Sequence, residues 1–379
     1  MDNLLHPKKK DKRNDNSDND QRKGRLGSIA KHTNSSKERV GGQSPRLTPT
    51  CPGKFEVIIE SPPLCFLNAA QHSTGALLSG RLKLKVEDPT GTVTIQKFTM
   101  VLRLAINTKK PIGKDCADCR DRYEEIFNWS FLTEPKKFQR DEDNQFPFSH
   151  LLKGSLPATT TASLGALKYQ LFAQATTSHG ETIDIIHPLV IQRAIHPGPD
   201  KTSIRIFPPT NLTGRVVLPS VVHPIGTFPI QMNLSGVVEN RKESQTRWRV
   251  NKLMWRVEEQ TSIVSVACPK HAHKVTEGKA VKNSQDSKIV GHGETKGGWK
   301  TDFDTPGGDI YVEFEGAVST KAGQRATCNV DSEAGLEVKH TLTIEVIVAE
   351  EFVPKKNKSV ITPTGAARIL RMSDRKSVV

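Results

Sequence analysis

Apolar and polar residues alternate along much of the chain from Phe55 onward. In the first clear case, Leu82, Leu84 and Val86 are separated by single lysines. Because successive side chains of a β-strand point to opposite faces of the sheet, a period of two predicts strands with one buried face. The same alternation returns at residues 98–106, 167–173, 310–314 and 342–348. No comparably long helical period competes with it, so the sequence predicts an all-β protein.

Two prolines and a glycine interrupt the strand-rich region near its middle, in the segment His196-Pro-Gly-Pro-Asp200. These residues prevent continued pairing of a β-ladder, so we place a hinge at residues 196–200. Strands separated by Pro, Gly and Asn clusters, without alternating helices, indicate antiparallel sheets packed as sandwiches. We therefore predict two β-sandwich domains, at residues 53–195 and 201–372. The polar stretch from Lys274 to Trp299 is predicted to be a long loop.

Residues 1–52 form a basic segment with hardly an apolar side chain. It contains 12 Lys and Arg residues against 6 Asp and Glu residues. Such a composition cannot bury enough apolar surface to offset chain entropy, so we predict a disordered tail. The whole chain carries a net charge of +14, which favours anionic partners such as phospholipid headgroups or nucleic acid without choosing between them. A basic arm of this kind is more often simply solvated than bound to a ligand, and both interpretations stay open. The candidate membrane-contact residues are Lys8, Lys9, Lys10, Lys12 and Arg13.

The chain lacks the sequence features of a secreted or membrane-spanning protein. No stretch approaches the ~20 apolar residues that cross a bilayer, and the amino terminus lacks the apolar core of a signal peptide. We therefore expect a cytoplasmic protein. In that compartment disulfides among its six cysteines are not expected, and reduced thiols or metal ligands remain.

Common catalytic signatures are missing from the sequence. There is no His-Glu-x-x-His, no Gly-x-Ser-x-Gly and no strand-turn-helix context for a dinucleotide. The nearest phosphate-loop lookalike, Gly293-Glu-Thr-Lys-Gly-Gly298, is not followed by a predicted helix that would aim amides at a phosphate. We therefore predict that the protein is not an enzyme and requires no cofactor for activity.

Several short motifs together resemble one family. They are Phe146-Pro-Phe-Ser149, Leu156-Pro157-Ala158, Pro197-Gly-Pro-Asp200, Arg205-Ile-Phe-Pro-Pro209, Trp255-Arg-Val-Glu-Glu259, Cys268-Pro-Lys-His271 and Pro363-Thr-Gly-Ala-Ala-Arg368. On these motifs, roughly residues 53–372 resemble the fungal α-arrestins, also called arrestin-related trafficking adaptors. The resemblance implies an arrestin N-like and an arrestin C-like β-sandwich joined by a short hinge.

The resemblance also implies a function. Members of this family recognise the cytoplasmic segments of plasma-membrane transporters and recruit a WW-domain, HECT-type ubiquitin ligase, so that the cargo is ubiquitinated and internalised. The expected location is therefore peripheral, at the plasma membrane or endosomes. The family also leads us to expect a ubiquitin-acceptor lysine in the second domain. Lys252, within the strand pattern from Trp248 to Val257, is the candidate, and the alternative is a solvated lysine on a strand face.

The ligase normally docks on a Pro-Pro-x-Tyr motif, whose prolines form an extended helix in an aromatic groove. The two Pro-Pro pairs of this sequence, Pro62-Pro63 and Pro208-Pro209, are not followed by such a tyrosine. After Met372 the family would continue through a final strand into a tail that carries the motif. We therefore interpret residues 373–379 as a divergent tail of a truncated chain, in which cargo binding is retained and ligase recruitment is in doubt.

Cys116-Ala-Asp-Cys119 and Cys268-Pro-Lys-His271 have the two-residue spacing of metal ligands. Three sulfurs and one nitrogen suit a structural zinc ion. By the resemblance, the two motifs lie on loops that approach each other at the centre of the arrestin fold. His273 is an alternative ligand to His271. The competing interpretation, that these are unpaired cysteines in surface loops, has about equal weight.

Two other functions compete with the adaptor. An arrestin-fold scaffold in vesicle coat or retrieval assemblies, without a ubiquitin role, would be favoured by the absent tyrosine motif if this carboxyl terminus is genuine. A nucleic-acid-binding protein would use the positive charge. However, the basic positions lack interleaved aromatic residues and no recognition motif is present, so we expect no nucleic-acid partner.

Overall fold

The computed structural model describes residues 52–275, 281–320, 323 and 326–378. The described residues belong to one compact unit. The basic tail predicted at residues 1–52, with its five candidate membrane-contact residues, lies outside the described residues except for Pro52. Within the described segments, no helix has the length and apolar character needed to cross a bilayer.

The first half of the described chain is a β-sandwich. Its strands are β1 (Gly53–Ile59), β2 (Leu64–Leu67), β3 (Ala76–Val86), β4 (Thr92–Thr108), β5 (Asp121–Ser130), β6 (Lys136–Gln139), β7 (Gln145–Leu152), β8 (Thr160–Thr161), β9 (Gly165–Thr177), β10 (Thr182–Leu189) and β11 (Ile191–Ala194). One sheet has the order β1-β3-β7, and the other has the order β10-β9-β4-β5. A short parallel pair joins β11 to β2. A 3-10 turn spans Ala70–His72, and the short helix α1 spans Ala117–Arg120.

The second half forms another sandwich. Its strands are β12 (Lys201–Ile206), β13 (Thr213–Leu218), β14 (Val221–Val222), β15 (Thr227–Ser235), β16 (Val238–Asn240), β17 (Ser244–Val266), β18 (Val281–Thr295), β19 (Lys300–Asp302), β20 (Asp309–Ala317), β21 (Val330–Asp331), β22 (Leu336–Pro354) and β23 (Thr362–Val378). One sheet has the order β12-β13-β15-β20-β19, and the other has the order β14-β23-β22-β17-β16, with β18 also paired to β17. A 3-10 helix spans Pro269–Lys274. The predicted all-β, two-sandwich fold is confirmed.

Each sandwich has its own apolar core, built from the inward residues of the alternating strands. In the first core, Phe98 is fully buried and its ring stacks on Phe55 with centroids 4.9 Å apart. The first core also contains residues from the second half of the chain, which are Ile263, Val330, Ala334, Leu336 and Val338. Strands β17 and β22 therefore contribute side chains beyond the second sandwich.

The predicted loop from Lys274 to Trp299 is wrong for most of its length, because residues 281–295 form β18. This strand pairs with β17 from Val266↔Val281 to Leu253↔Thr295. Most of its side chains are exposed, and Val290 is one of its few buried residues. Strand β18 is held by backbone hydrogen bonds and has solvent on both faces, so it does not need alternating apolar side chains. The pattern of apolar residues therefore could not predict this strand.

Residues 373–378, which belong to the divergent tail predicted at residues 373–379, continue β23, which pairs with β22 past Thr343↔Ser373. The divergence of this tail from the family stays a prediction. The end of the strand is fixed by Asn329, whose backbone N–H donates to the Val378 carbonyl at 2.8 Å. The side chain of Val378 is fully buried. The register of the ladder and one buried valine place this segment in the second sandwich.

Candidate metal centre

Cys116 and Cys119 lie in the segment that connects β4 to β5, around the short helix α1. The Cys116 N–H donates to the Gly113 carbonyl at 3.1 Å, and the Arg120 N–H donates to the Cys116 carbonyl at 3.1 Å. These bonds close a tight turn. Residues three positions apart in a helical turn lie on the same side, so both sulfurs point in one direction.

Cys268 and His271 lie just after β17. Pro269 is the first residue of the 3-10 helix, where its fixed φ suits the start of a helical turn. The His271 N–H donates to the Cys268 carbonyl at 2.9 Å. Because a 3-10 helix has three residues per turn, the side chains at positions i and i+3 eclipse. The turn therefore presents the Cys268 sulfur and the His271 ring side by side.

The structure brings the four predicted ligands together. Cys116 Sγ lies 3.8 Å from Cys268 Sγ, and His271 Nδ1 lies 3.6 Å from Cys119 Sγ and 3.3 Å from Cys268 Sγ. All four ligand atoms lie within 4.8 Å of one another. Cys119 and Cys268 are buried, and Cys116 and His271 are half-buried. Such a set can hold a single tetrahedral metal ion.

His273, the alternative ligand, is exposed and is not part of this group. Its ring centroid lies 6.3 Å from that of His271. Of the two histidines, the structure therefore selects His271.

The two buried sulfurs have different electrostatic surroundings. The pKa of Cys119 is lowered, because the backbone N–H groups of Cys268 and Gly113 and the neighbouring thiols hydrogen-bond to its sulfur against the opposing effect of burial. Burial raises the pKa of Cys268. The two shifts are opposite in direction, because hydrogen bonds favour the Cys119 thiolate whereas burial disfavours the Cys268 thiolate.

Gly113 lies against the imidazole of His271. A Cβ atom at position 113 would sit 2.7 Å from His271 Cε1, closer than real Cβ contacts allow. The ring therefore occupies space that only a glycine leaves free.

Further contacts join the two halves of the chain around the cluster. Thr108 Oγ1 and Ser265 Oγ form a buried hydrogen bond of 2.9 Å. Lys270 Nζ lies 3.7 Å from an Asp118 carboxylate oxygen, in an exposed ion pair. The cluster thus lies where the end of β17 meets the segment between β4 and β5.

A second buried polar group was not predicted from the sequence. The Glu259 carboxylate is buried beside His340, whose Nε2 lies 3.3 Å from Glu259 Oε2. Lys288 Nζ lies 2.9 Å from Oε1, and the Thr327 N–H donates to Oε2 at 2.7 Å. Burial raises the pKa of Glu259, but the hydrogen bonds from His340 and the Thr327 amide, together with the charge of Lys288, outweigh it and lower the pKa to about 2. Its partners are distant in the sequence, so no local motif marks the group.

Lys252, the candidate ubiquitin acceptor, lies on β17 and forms an ion pair with Glu294 of β18. Its side chain is 26% exposed. A transfer reaction at Nζ would have to break this pair, and the acceptor role of Lys252 stays a prediction.

The sequence profile of the family described as "LDB19: Arrestin_N terminal like" matches residues 98–275, a range that includes all four clustered residues. Uncharacterized protein C1F12.05 of Schizosaccharomyces pombe is 31% identical over 323 residues, covering 85% of this chain and 80% of that protein. Protein LDB19 of Eremothecium gossypii is 35% identical over 227 residues, covering 56% of this chain but only 32% of that protein.

A weaker structural likeness was found to squid arrestin, with a TM-score of 0.41 and 8% sequence identity, covering 85% of this chain and 98% of that chain. The fold assignment rests on the sheets described above and not on this likeness. Family membership rests on the profile match and on relatives that align over most of the chain. The chain belongs to the LDB19 family of arrestin-like proteins, the fungal α-arrestins.

Proposed function

We propose that the protein is a non-catalytic trafficking adaptor that links plasma-membrane transporters to a WW-domain HECT ubiquitin ligase for ubiquitin-dependent endocytosis. The observation that carries the proposal is membership of the LDB19 family, together with the two joined sandwiches. Folds of this kind provide broad, rigid surfaces, and function resides in the sites that they display.

The edge strands are the surfaces through which we propose that transporter segments bind. Strand β12 ends its sheet, and among the described strands its one pairing partner is β13. Its outer face exposes Ile204 and Ile206, at 59% and 71%. An extended peptide adds to such an edge through main-chain hydrogen bonds, while its side chains contact the neighbouring apolar residues.

The proposal is tested by deleting the gene in its own host and labelling cell-surface proteins with a membrane-impermeant reagent. We expect a subset of transporters to stay at the surface when conditions trigger their removal. Re-expression of the chain should restore uptake of that subset. An unchanged surface proteome in the deletion strain would contradict the adaptor function.

A scaffold without a ubiquitin role is a second candidate, since the printed sequence contains no Pro-Pro-x-Tyr motif. We expect the purified chain to show no measurable binding to a WW domain in titration calorimetry, because the diproline and the aromatic side chain act as a unit. The same chain extended by a Pro-Pro-x-Tyr tail is the positive control and should bind. Micromolar binding by the unextended chain would reveal another docking element and remove the case for the scaffold.

We propose that the basic segment holds the protein at anionic membranes. Lys8, Lys9, Lys10, Lys12 and Arg13 should each contribute about 1 kcal/mol near a charged surface. Deleting residues 1–52 should therefore lower sedimentation with phosphatidylserine vesicles at low ionic strength and leave the melting temperature unchanged. Added salt should weaken binding of the intact chain. Equal vesicle binding with and without the segment would refute this role.

A further inference from the structure

We infer that Cys116, Cys119, Cys268 and His271 bind one Zn²⁺ ion in a structural site that fastens the first sandwich to the second. The inference concerns the architecture of the chain and does not depend on the proposed adaptor function. It rests on the distances between the ligand atoms, the chemistry of the ligands, the groups around them and their place in the fold.

Two of the distances between the ligand atoms match the edges of a zinc tetrahedron. With Zn–S bonds of about 2.3 Å and Zn–N bonds of about 2.0–2.1 Å, the edges of a tetrahedron are about 3.8 Å between sulfurs and about 3.6 Å between sulfur and nitrogen. The Cys116–Cys268 sulfurs lie 3.8 Å apart, and the Cys119 sulfur lies 3.6 Å from His271 Nδ1. Because no separation in the set exceeds 4.8 Å, small side-chain movements are enough to close the shell.

The ligand types select the ion. Three thiolates and an imidazole are soft or borderline ligands, which favour zinc over the oxygen-seeking Mg²⁺ and Ca²⁺. Four protein ligands fill a tetrahedral shell and leave no position for a water molecule. The ion would therefore support the fold and would not activate a nucleophile.

Groups around the ligands orient them for a metal. The Cys116 N–H donates to the Gly113 carbonyl, and the His271 N–H donates to the Cys268 carbonyl. These backbone bonds hold each pair of ligands in a fixed turn. The close approach of Gly113 to the His271 ring restricts the ring from the other side. Cys119 and Cys268 are buried, which unpaired cysteines in surface loops would not be.

The cluster lies between the two sandwiches, so an ion bound there would link them. Cys116 and Cys119 belong to the connection between β4 and β5 of the first sandwich, whereas Cys268 and His271 follow β17 of the second. Besides the cluster, this junction contains the Thr108–Ser265 hydrogen bond and the exposed Lys270–Asp118 pair. An exposed ion pair contributes little, so a bound ion would be the strongest link at this point.

The first experiment measures metal in the full chain purified without chelator. Inductively coupled plasma mass spectrometry should find about one zinc ion per chain, as expected for one four-ligand site. Cys116→Ser and Cys268→Ser should each lose the metal. Cys65→Ser, which changes a half-buried cysteine outside the cluster, is the matched control and should keep it.

A second variant keeps the test informative if the cysteine variants fail to fold. Gly113→Ala leaves all four ligands in place but displaces the His271 ring. We expect it to lower zinc affinity by about tenfold to a hundredfold in competition with a chromophoric chelator. Substitution of Co²⁺ into the wild-type chain should give the intense absorption of tetrahedral thiolate coordination.

Chelation of the wild type should lower its melting temperature and increase hydrogen exchange in both Ala117–Arg120 and Pro269–Lys274, since both turns would lose the same ion. The inference is overturned if the wild-type chain neither contains zinc nor takes it up. It is equally overturned if Cys116→Ser and Cys268→Ser keep the metal, or if mass spectrometry finds Cys116 and Cys268 joined as a disulfide in the protein as purified.

Discussion

Replacing Glu259 by alanine should lower the free energy of unfolding by about 3–5 kcal/mol, the cost of breaking a buried ion pair from one side. The carboxylate is buried and contacts Lys288 and His340. It also accepts a hydrogen bond from the Thr327 N–H. Alanine would leave these donors without their acceptor in a site from which water is largely excluded. Urea denaturation followed by circular dichroism measures the loss.

Glu259→Gln is the matched control, because it keeps the size of the side chain and one acceptor but removes the charge. It should cost less than Glu259→Ala. The two variants together separate the contribution of the charge from that of packing. Equal stability of the wild type and both variants would show that the group contributes nothing to folding.

The same carboxylate should make stability depend on pH. Its pKa in the folded chain is about 2, below the ordinary value of 4.5. Since the folded pKa is depressed, the stabilisation is fully present above pH 4.5 and is lost as the pH falls through 2. The shift corresponds to about 3 kcal/mol. The stability gap between the wild type and Glu259→Gln should therefore shrink between pH 4.5 and 2, as thermal melts of both proteins across this range would show.

Phe98→Ala should also cost about 3–5 kcal/mol, the usual range for removing a buried phenylalanine. The ring is fully buried and contacts Phe55, Phe131 and Phe146, with centroids 4.7–4.9 Å apart. Alanine would remove these contacts and leave a cavity between the two sheets of the first sandwich. The free energy of unfolding in urea measures the effect.

Phe127→Ala is the control for this change. Phe127 is 37% exposed and contacts Trp129 and His150 at the surface. Its removal should cost about 1 kcal/mol, the contribution of an aromatic pair without deep burial. If both alanine variants lost the same stability, the burial of Phe98 would not be the cause.

The strands with one buried face could be predicted from the sequence, because burial of one face places an apolar residue at every second position. In β3, for example, Leu82, Leu84 and Val86 are buried as their spacing predicts. Strand β18 and the end of β23 could not be predicted in this way. Their backbones pair with neighbouring strands, while most side chains of β18 stay in solvent and the 373–378 segment has few apolar residues. Backbone hydrogen bonds do not require particular side chains, so the sequence does not indicate where they form.

The metal cluster could be predicted only in part. The spacing of Cys116 and Cys119, and of Cys268 and His271, is a local property and was visible in the sequence. Their convergence depends on where β4 and β17 end, which is decided by the packing of the whole chain. The group around Glu259 has no local spacing at all, because its partners come from three different segments of the second half.

Strand β17 limits which parts of this chain can be exchanged with those of a relative. It is a single strand of 23 residues, about 76 Å long, in which Trp255 belongs to the second core and Ile263 to the first. Its partner β22 likewise sends Leu336 and Val338 into the first core. In a chimera that joins two relatives at residues 196–200, most of the first core would therefore come from one parent. The apolar residues of β17 and β22 that complete this core would come from the other parent. The two sandwiches therefore cannot be exchanged independently of each other. We expect a recombinant chain to fold only where the two parents have compatible side chains along β17 and β22.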